Sequence, residues 1–268
     1  MFSYIRAFIR LVLFAVMVVA GLLITLLLFP FIGWQRKRRI IRGWASLLIR
    51  ALGVRLVVDR APPTEHLQGL MVSNHSSWID IFATDAVQAV RFISKSEIRD
   101  WPVLGNLVTM AGTLYVERGN RSKINETNES IRDAVAAGDL VGFYPEGTTT
   151  DGTYLLPFKT NLFQPAIDYK MTVYPVAVSY QLRGEKTSLA SYEGDISFGE
   201  SFLSLTRASG LEVHVSFCDP IDGGLYEDRA SLTAAAQAAI AQMTGLAVQM
   251  PSEEQTALLQ SAKVSRAQ

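Results

Sequence analysis

The sequence has little of the chemistry that disulfides and metal sites need. It contains a single cysteine, Cys218, so no internal disulfide can form, and we place this thiol in the core. Three scattered histidines, His66, His75 and His214, do not make a zinc ligand set with one thiol. The Gly-x-Ser-x-Gly elbow of serine hydrolases is also missing. We therefore predict neither a metal centre nor a covalent serine mechanism.

Net charge is zero, but the charges are distributed unevenly. Residues 1–60 contain ten Lys/Arg and one acid, Asp59, so this part carries +9 and the rest of the chain −9. A basic segment can bind nucleic acid, but here the charges flank an apolar stretch. We therefore expect membrane lipids with anionic head groups, and no nucleic acid, as the partner.

The apolar stretch runs from Leu11 to Gly33 without a charged residue. At about 1.5 Å per residue it is long enough to cross a ~30 Å hydrocarbon core. Four consecutive basic residues follow at positions 36–39, and the positive-inside rule then places the rest of the chain in the cytoplasm, at the inner membrane. A cleaved signal peptide is the competing interpretation. Pro30 could also turn the segment into a re-entrant or monotopic hairpin.

The next segment, residues 40–56, has apolar residues at Ile41, Trp44, Leu48 and Leu52. This spacing predicts an amphipathic helix, which lies either at the membrane interface or within the domain. Residues 60–68 contain two consecutive prolines and are predicted to be a linker.

Short apolar runs then alternate with polar helical stretches, which indicates an α/β fold: a layered sheet flanked by helices, preceded by a membrane helix and an amphipathic helix. We divide the chain into a membrane-anchoring segment (1–60), a catalytic domain (61–250) and a polar C-terminal tail (251–268). Strands are predicted at 70–73, 90–94, 113–116, 140–144, 172–180, 195–198 and 212–217, and helices at 78–89, 122–137, 162–169 and 230–243.

His75 stands where a predicted strand meets a predicted helix, in the run Ser-Asn-His-Ser-Ser-Trp-Ile-Asp of residues 73–80. Asp80 follows about one and a half helical turns later and can reach back to the ring. A neutral imidazole is a general base near pH 7, and a carboxylate can fix its tautomer. Deprotonation of a substrate hydroxyl is the simplest chemistry for this pair. A capping histidine beside an unrelated aspartate is the alternative.

Three further segments follow in order. Residues 112–118 read Gly-Thr-Leu-Tyr-Val-Glu-Arg, residues 143–149 Phe-Tyr-Pro-Glu-Gly-Thr-Thr, and residues 173–177 Val-Tyr-Pro-Val-Ala. With His75 and the membrane segment, this order resembles the glycerolipid acyltransferases of the PlsC type. That family carries an Asn-His-x4-Asp block, a Gly-x-x-(aromatic)-(Ile/Val)-(Asp/Glu)-Arg block, a Pro-Glu-Gly-Thr block and a (Val/Ile)-Pro-(Val/Ile) block. The last is imperfect here, because Tyr174 precedes the proline.

The resemblance implies that His75 is the general base and Asp80 its orienting partner. The deprotonated acceptor hydroxyl would attack an acyl thioester directly, without an acyl-enzyme, and backbone N–H groups near the helix start could stabilise the oxyanion. Arg118 would bind an anionic head group, because guanidinium matches phosphate with paired donors. A surface ion pair between Arg118 and Glu117 is the alternative.

The remaining implied positions concern the acceptor. Glu146, Gly147 and Thr148 would position it, although a plain turn at the end of a strand has the same pattern. Lys159 is similar to a basic position downstream of that block, and Lys95 matches the family loosely. Both lysines could equally be solvated side chains.

One departure bears on the acceptor. Family members that act on lysophosphatidic acid often have an arginine after Glu-Gly-Thr, where this chain has Thr149. We predict an O-acyltransferase that moves a fatty acyl chain from acyl-CoA or acyl carrier protein to lysophosphatidic acid, forming phosphatidic acid. Lyso-ornithine lipid is the alternative acceptor. A non-catalytic membrane scaffold and a hydrolase that uses His75 and water are the other classes. The thioester is a co-substrate, and no cofactor or metal is expected.

Overall fold

Two helices open the chain in the computed structural model, which describes residues 2–100, 104–116 and 121–251. Helix α1 (Phe2–Leu27) is followed by a short 3-10 turn at Phe29–Phe31, and α2 (Trp34–Ala51) comes next. Pro30 lies in the turn, where its missing N–H and fixed φ end the first helix. The apolar N-terminal segment is thus a helix and a turn, and α2 follows directly.

Nine strands of the described chain form one mixed sheet in the order β1-β8-β6-β2-β5-β3-β4, with β7 and β9 also paired to β6. β6 is antiparallel to β7, β8 and β9, and the other neighbours are parallel. The strands are β1 (Val54–Arg60), β2 (Gly69–Ser73), β3 (Arg91–Lys95), β4 (Leu114–Val116), β5 (Leu140–Phe143), β6 (Thr172–Leu182), β7 (Glu185–Lys186), β8 (Leu211–Phe217) and β9 (Ile221–Asp222).

Helices cover both faces of the sheet. The period-2 alternation of a strand sends Met71 to a core that includes Leu48 and Phe202, and sends Leu70 and Val72 to a second core on the other face. The helices after α2 are α3 (Ile79–Val87), α4 (Leu104–Met110), α5 (Arg121–Ala136), α6 (Gln164–Asp168), α7 (Phe198–Arg207) and α8 (Arg229–Thr244). The predicted α/β sheet flanked by helices is confirmed.

One predicted strand, 195–198, is wrong. Ser197 instead caps α7: its hydroxyl accepts the Glu200 N–H, and the Glu200 side chain accepts the Ser197 N–H. This reciprocal capping box satisfies amides that a helix start leaves unpaired, so the chain begins a helix here.

The second helix belongs to the folded domain. Ala45, Leu48 and Ile49 of α2 are fully buried, and α2 ends five residues before the predicted end of the amphipathic segment. Val54–Arg60 then forms β1, which pairs in parallel with β8. The sheet therefore begins within the segment expected to be an amphipathic helix and linker.

Helix α1 lies along the domain and is hydrogen-bonded to it near its start and at its middle. Arg10 donates to the carbonyl oxygens of Thr206 (2.9 Å) and Ala208 (2.7 Å), at the C-terminal end of α7. Further along, the Trp44 indole N–H donates to the Met17 carbonyl at 2.8 Å. Most other side chains of α1 are apolar and exposed. Within the described residues, the stretch Phe2–Phe31 is long and apolar enough to cross a membrane, and an 18-residue window within it has mean hydropathy 3.1.

We expect Arg10→Ala to lower the free energy of unfolding by about 2 kcal/mol, because it removes charge-assisted hydrogen bonds to partly buried carbonyls. Thermal unfolding of the detergent-solubilised protein measures this loss. Arg39→Ala, at an exposed position of α2, is the matched control. An equal, small effect of both substitutions would contradict the docking role of Arg10.

Candidate functional site

The site forms where two neighbouring parallel strands end. β2 and β5 are in register, with Val72 opposite Phe143, so the residues that follow them meet at the carboxyl edge of the sheet. Open α/β sheets bind ligands at this edge. His75 follows β2, and the turn that contains Glu146 and Gly147 follows β5.

Asn74 ends the pairing of β2 with β6. The last backbone pair is Ser73 with Val176. After it, the Asn74 amide takes the place of backbone: its Nδ2 donates to the Val178 carbonyl and its Oδ1 accepts the Val178 N–H, both at 2.8 Å. Because the side chain completes the ladder, the main chain is free to turn away from the sheet at His75.

His75 and Asp80 are in contact. Nδ1 of His75 lies 2.8 Å from Oδ2 of Asp80. That oxygen also accepts two backbone N–H groups, so it acts as an acceptor, and the proton of a neutral imidazole is then assigned to Nδ1. Nε2 carries the lone pair and has no hydrogen-bond partner among the described residues, and the side chain is 17% exposed. This nitrogen is available to take a proton from a molecule in the cleft.

Four donors surround the fully buried Asp80 carboxylate. Besides His75, the N–H groups of Ser76 (2.8 Å) and Ser77 (2.9 Å) donate to Oδ2, and the Tyr180 hydroxyl donates to Oδ1. Burial, and then the charge of Asp80, raises the pKa of Tyr180 well above its ordinary value, so the phenol keeps the proton that it donates. The first turn of α3 adds the positive end of a helix dipole. These four donors therefore take the place of hydration for the buried carboxylate.

Aromatic rings fix the plane of the imidazole. The His75 ring stacks on Tyr144, with centroids 4.0 Å apart and planes 14° from parallel. Tyr144 in turn stacks on Phe92 at 5.7 Å and 8°. The carboxylate holds one edge of the histidine ring and the stack holds one face, so rotation about its side-chain bonds is restricted.

The turn after β5 contacts the backbone of His75. Oε1 of Glu146 accepts the His75 N–H at 2.7 Å, and Oε2 accepts the Leu156 N–H at 2.8 Å. The Thr150 N–H donates to the His75 carbonyl at 3.0 Å. Glu146 is 1% exposed, and this burial, rather than the nearby charge of Asp80, is the main reason that its pKa is raised to about 7.

Gly147 and Lys159 are also brought together. Gly147 has φ +76°, and a Cβ added there would lie 2.2 Å from Nζ of Lys159. The Lys159 N–H donates to the Pro145 carbonyl at 2.9 Å, which ties the lysine to the turn, and its side chain is exposed. An ammonium group therefore lies directly over the glycine, and Thr148 is half-buried on the same turn. Arg118 lies outside the described residues.

The sequence predicted no role for Asn74, Tyr144 or Tyr180. In the structure Tyr144 contacts His75, Tyr180 contacts Asp80, and Asn74 completes the strand pairing that precedes His75. Asn74 lies in the Asn-His-x4-Asp block and Tyr144 precedes the Pro-Glu-Gly-Thr block, so their positions alone could have suggested them. Tyr180 is a hydroxyl in an apolar strand 100 residues from Asp80, and the pairing of β2 with β6 is needed to bring the two together. Within the described ranges, no three His, Cys, Asp or Glu side chains converge as a metal site.

Known proteins resemble this chain over most of its length. A family model described as Acyltransferase matches residues 57–179. The 1-acyl-sn-glycerol-3-phosphate acyltransferase of Neisseria meningitidis is 38% identical over 200 residues, which is 74% of this chain and 77% of that protein. The lyso-ornithine lipid O-acyltransferase of Brucella abortus is 35% identical over 214 residues, covering 75% of this chain and 79% of the relative.

A solved structure shares the fold. The PlsC 1-acyl-sn-glycerophosphate acyltransferase of Thermotoga maritima matches with a TM-score of 0.69, covering 91% of this chain and 96% of that one at 18% identity. At this level of identity the match concerns the fold.

A further carboxyl, Asp85, lies farther along α3. Its Oδ1 accepts the Val90 N–H at 2.9 Å. Burial raises the pKa of Asp85 to about 8, and the hydrogen bond from Val90 opposes this only in part. Between pH ~4 and ~8 the folded chain therefore keeps a proton that the unfolded chain has lost. Folding takes up a proton in this window, so the stability contributed by Asp85 declines as the pH rises.

We expect Asp85→Asn to become more stable relative to the original chain as the pH rises from 5 to 8. The asparagine does not titrate, and its carbonyl oxygen can still accept the Val90 N–H. The difference grows by at most about 1.4 kcal/mol per pH unit, and thermal unfolding at several pH values measures it. Asp168→Asn, an exposed position, is the control. A constant difference between Asp85→Asn and the original chain would contradict the raised pKa.

Proposed function

Because this chain belongs to the acyltransferase family, we propose that it transfers a fatty acyl chain from acyl-CoA or acyl carrier protein to the free hydroxyl of lysophosphatidic acid, giving phosphatidic acid. One observation carries the catalytic part of the proposal. The imidazole of His75 has Nδ1 on a buried carboxylate, and its ring is partly exposed, with Nε2 without a partner in the described chain.

The reaction follows from this geometry. Nε2 of His75 takes the proton of the acceptor hydroxyl as its oxygen attacks the thioester carbonyl carbon, and Asp80 stabilises the imidazolium that forms. The tetrahedral intermediate collapses, the carbon–sulfur bond breaks, and the imidazolium returns the proton to the departing thiolate. An ester and a free thiol result, and His75 is neutral again. No cofactor takes part beyond the thioester co-substrate.

Two amides at the helix start are not available to the oxyanion. The sequence predicted oxyanion donors near the helix start without naming them, and the N–H groups of Ser76 and Ser77 in that region both donate to Asp80. Their role in the proposed reaction is therefore indirect: they fix the carboxylate that fixes the base.

A basic group near the turn after β5, that of Lys159, supports an anionic acceptor. Lys159 places its ammonium over Gly147, beside the turn whose Glu146 contacts His75. We assign Lys159 and Arg118 to the phosphate of the acceptor, with Gly147 and Thr148 shaping the turn around it. The relative from Neisseria meningitidis, named for action on 1-acyl-sn-glycerol 3-phosphate, supports this choice.

Thr149 is the observation that favours a second acceptor, lyso-ornithine lipid. Its hydroxyl donates to the Tyr192 carbonyl, so at this position the chain has a short side chain engaged with its own backbone. This position therefore has no arginine that could bind the phosphate of lysophosphatidic acid. The relative from Brucella abortus is named for action on lyso-ornithine lipid.

The docking of α1 supports a membrane-bound enzyme that draws its acceptor from the lipid phase. Arg10 near its start and Met17 at its middle are both bonded to the domain, while its other faces present apolar side chains. A helix held this way lies beside the domain, and its exposed face enters the bilayer as the domain rests on the surface. We place the protein at the cytoplasmic face of the inner membrane, with the exposed Arg36 and Arg39 toward anionic lipid, whereas Arg38 is buried and bonded to the Leu67 and Gly138 carbonyls.

We expect His75→Ala to lower the rate of acyl transfer about 10²- to 10⁴-fold, the range typical of a lost general base, while the protein still folds and enters membranes. A steady-state assay with labelled acyl donor measures the rate. His66→Ala, at an exposed position in the loop between β1 and β2, is the matched control. Full activity of folded His75→Ala would overturn the proposed function.

A competition assay is expected to show lysophosphatidic acid as the preferred acceptor. Purified enzyme receives labelled acyl donor with equal amounts of lysophosphatidic acid and lyso-ornithine lipid, and the products are separated. Turnover of only the ornithine lipid would reject our first choice and support the second. Free fatty acid without any diacyl product would reject acyl transfer in favour of hydrolysis.

A further inference from the structure

The Glu146 carboxylate has the wrong surroundings for a group that binds substrate. It is 1% exposed, and each of its oxygens already accepts a backbone N–H, one from His75 and one from Leu156. A head group arriving from the cleft would have to displace one of these hydrogen bonds. Lys159, by contrast, is exposed, and its backbone N–H is bonded to the Pro145 carbonyl of this turn.

The hydrogen bond from the His75 N–H to Glu146 replaces a backbone hydrogen bond that the sheet does not provide at this residue. Backbone pairing of β2 ends at Ser73, and the Asn74 side chain occupies the next position on β6. The main chain at His75 therefore leaves the ladder with its N–H and carbonyl groups unpaired by strands. Glu146 accepts a hydrogen bond from the His75 N–H, and the Thr150 N–H donates one to the His75 carbonyl. A buried backbone group without a partner is costly, so these two bonds hold the residue in place.

We propose that Glu146 is a positioning residue of the catalytic base: it clamps the backbone of His75 so that Nε2 keeps its direction, and it does not contact the acceptor. This inference rests on the proposed function of His75. The backbone of His75 is held by Glu146 and its ring by Asp80 and Tyr144. Loss of the Glu146 hydrogen bond keeps Asp80 and Tyr144 as partners of the ring but allows the backbone of His75 to shift.

A carboxylate suits the clamp because two N–H groups must be accepted at once. The ionised form offers both oxygens as acceptors, whereas an amide offers one oxygen and turns an NH2 group toward the other donor. Burial raises the pKa of Glu146 to about 7, so near neutral pH its carboxyl group is present in both the protonated and the ionised form. As the pH rises through this value the ionised form becomes dominant, and the hydrogen bonds that hold the His75 and Leu156 N–H groups become stronger.

The test separates kcat from KM. With purified full-length protein and lysophosphatidic acid as acceptor, we expect Glu146→Gln to lower kcat about 10- to 100-fold while the acceptor KM changes less than about twofold, since a shift near 1 Å in a catalytic group costs about this much. In a His75→Ala background the same substitution should change the residual rate less than about twofold. If Glu146 had only a structural role, Glu146→Gln would lower stability, and its effect on the rate would be the same with and without His75.

Two variants serve as controls. Asp139→Asn also neutralises a buried carboxylate, but at the amino end of β5, where it pairs with Arg91, and we expect its kcat to stay unchanged. Glu146→Asp keeps the charge but is one methylene too short to hold both amides. It should give an intermediate kcat with an unchanged KM, and it carries the test if Glu146→Gln does not fold.

Three results would overturn the proposal. A tenfold or greater rise in acceptor KM with kcat retained would place Glu146 on the acceptor. Unchanged kcat and KM would show that the clamp does not matter. An equal loss of kcat in Asp139→Asn would reduce the effect to general destabilisation. None of these touches the proposed function, which instead fails if His75→Ala alone keeps full activity.

Discussion

A single buried carboxylate, that of Asp80, organises the candidate site. An ionised group without water is very costly unless donors replace its hydration, and here four donors do so. They come from the loop after β2, from the ring of His75 and from Tyr180 on β6, 100 residues away. The site is therefore a product of the assembled sheet, and the loop cannot adopt this shape alone.

The local part of the site could be predicted from the sequence, and the long-range part could not. His75 and Asp80 are five residues apart, so the short loop between β2 and α3 is enough to bring the two side chains together. The partner of Glu146 lies 71 residues away and that of Asn74 lies 104 away. Both depend on which strands are neighbours, and hydrophobic patterns do not specify strand order.

The fold shows the same division. The strands that became β2, β5, β6 and β8 were predicted because each is a compact apolar run. β1 was missed because the amphipathic pattern of α2 continues into Val54–Arg60, and only pairing with β8, far along the chain, makes that segment a strand. The start of α7 carried a readable signal, the Ser-x-x-Glu box at Ser197 and Glu200, which the short apolar run beside it obscured.

The anchoring of α1 has a consequence for how the protein is made. Arg10 leaves the ribosome early, but its partner carbonyl on Thr206 is 196 positions later in the chain. Throughout that interval the newly synthesised helix can pack against α2 but lacks the α7 part of its docking surface, and its apolar side chains would aggregate in water. A lipid bilayer would shield these side chains meanwhile. Biogenesis of this enzyme is thus expected to begin at the bilayer, with the remainder of the polypeptide folding onto a helix that is already embedded.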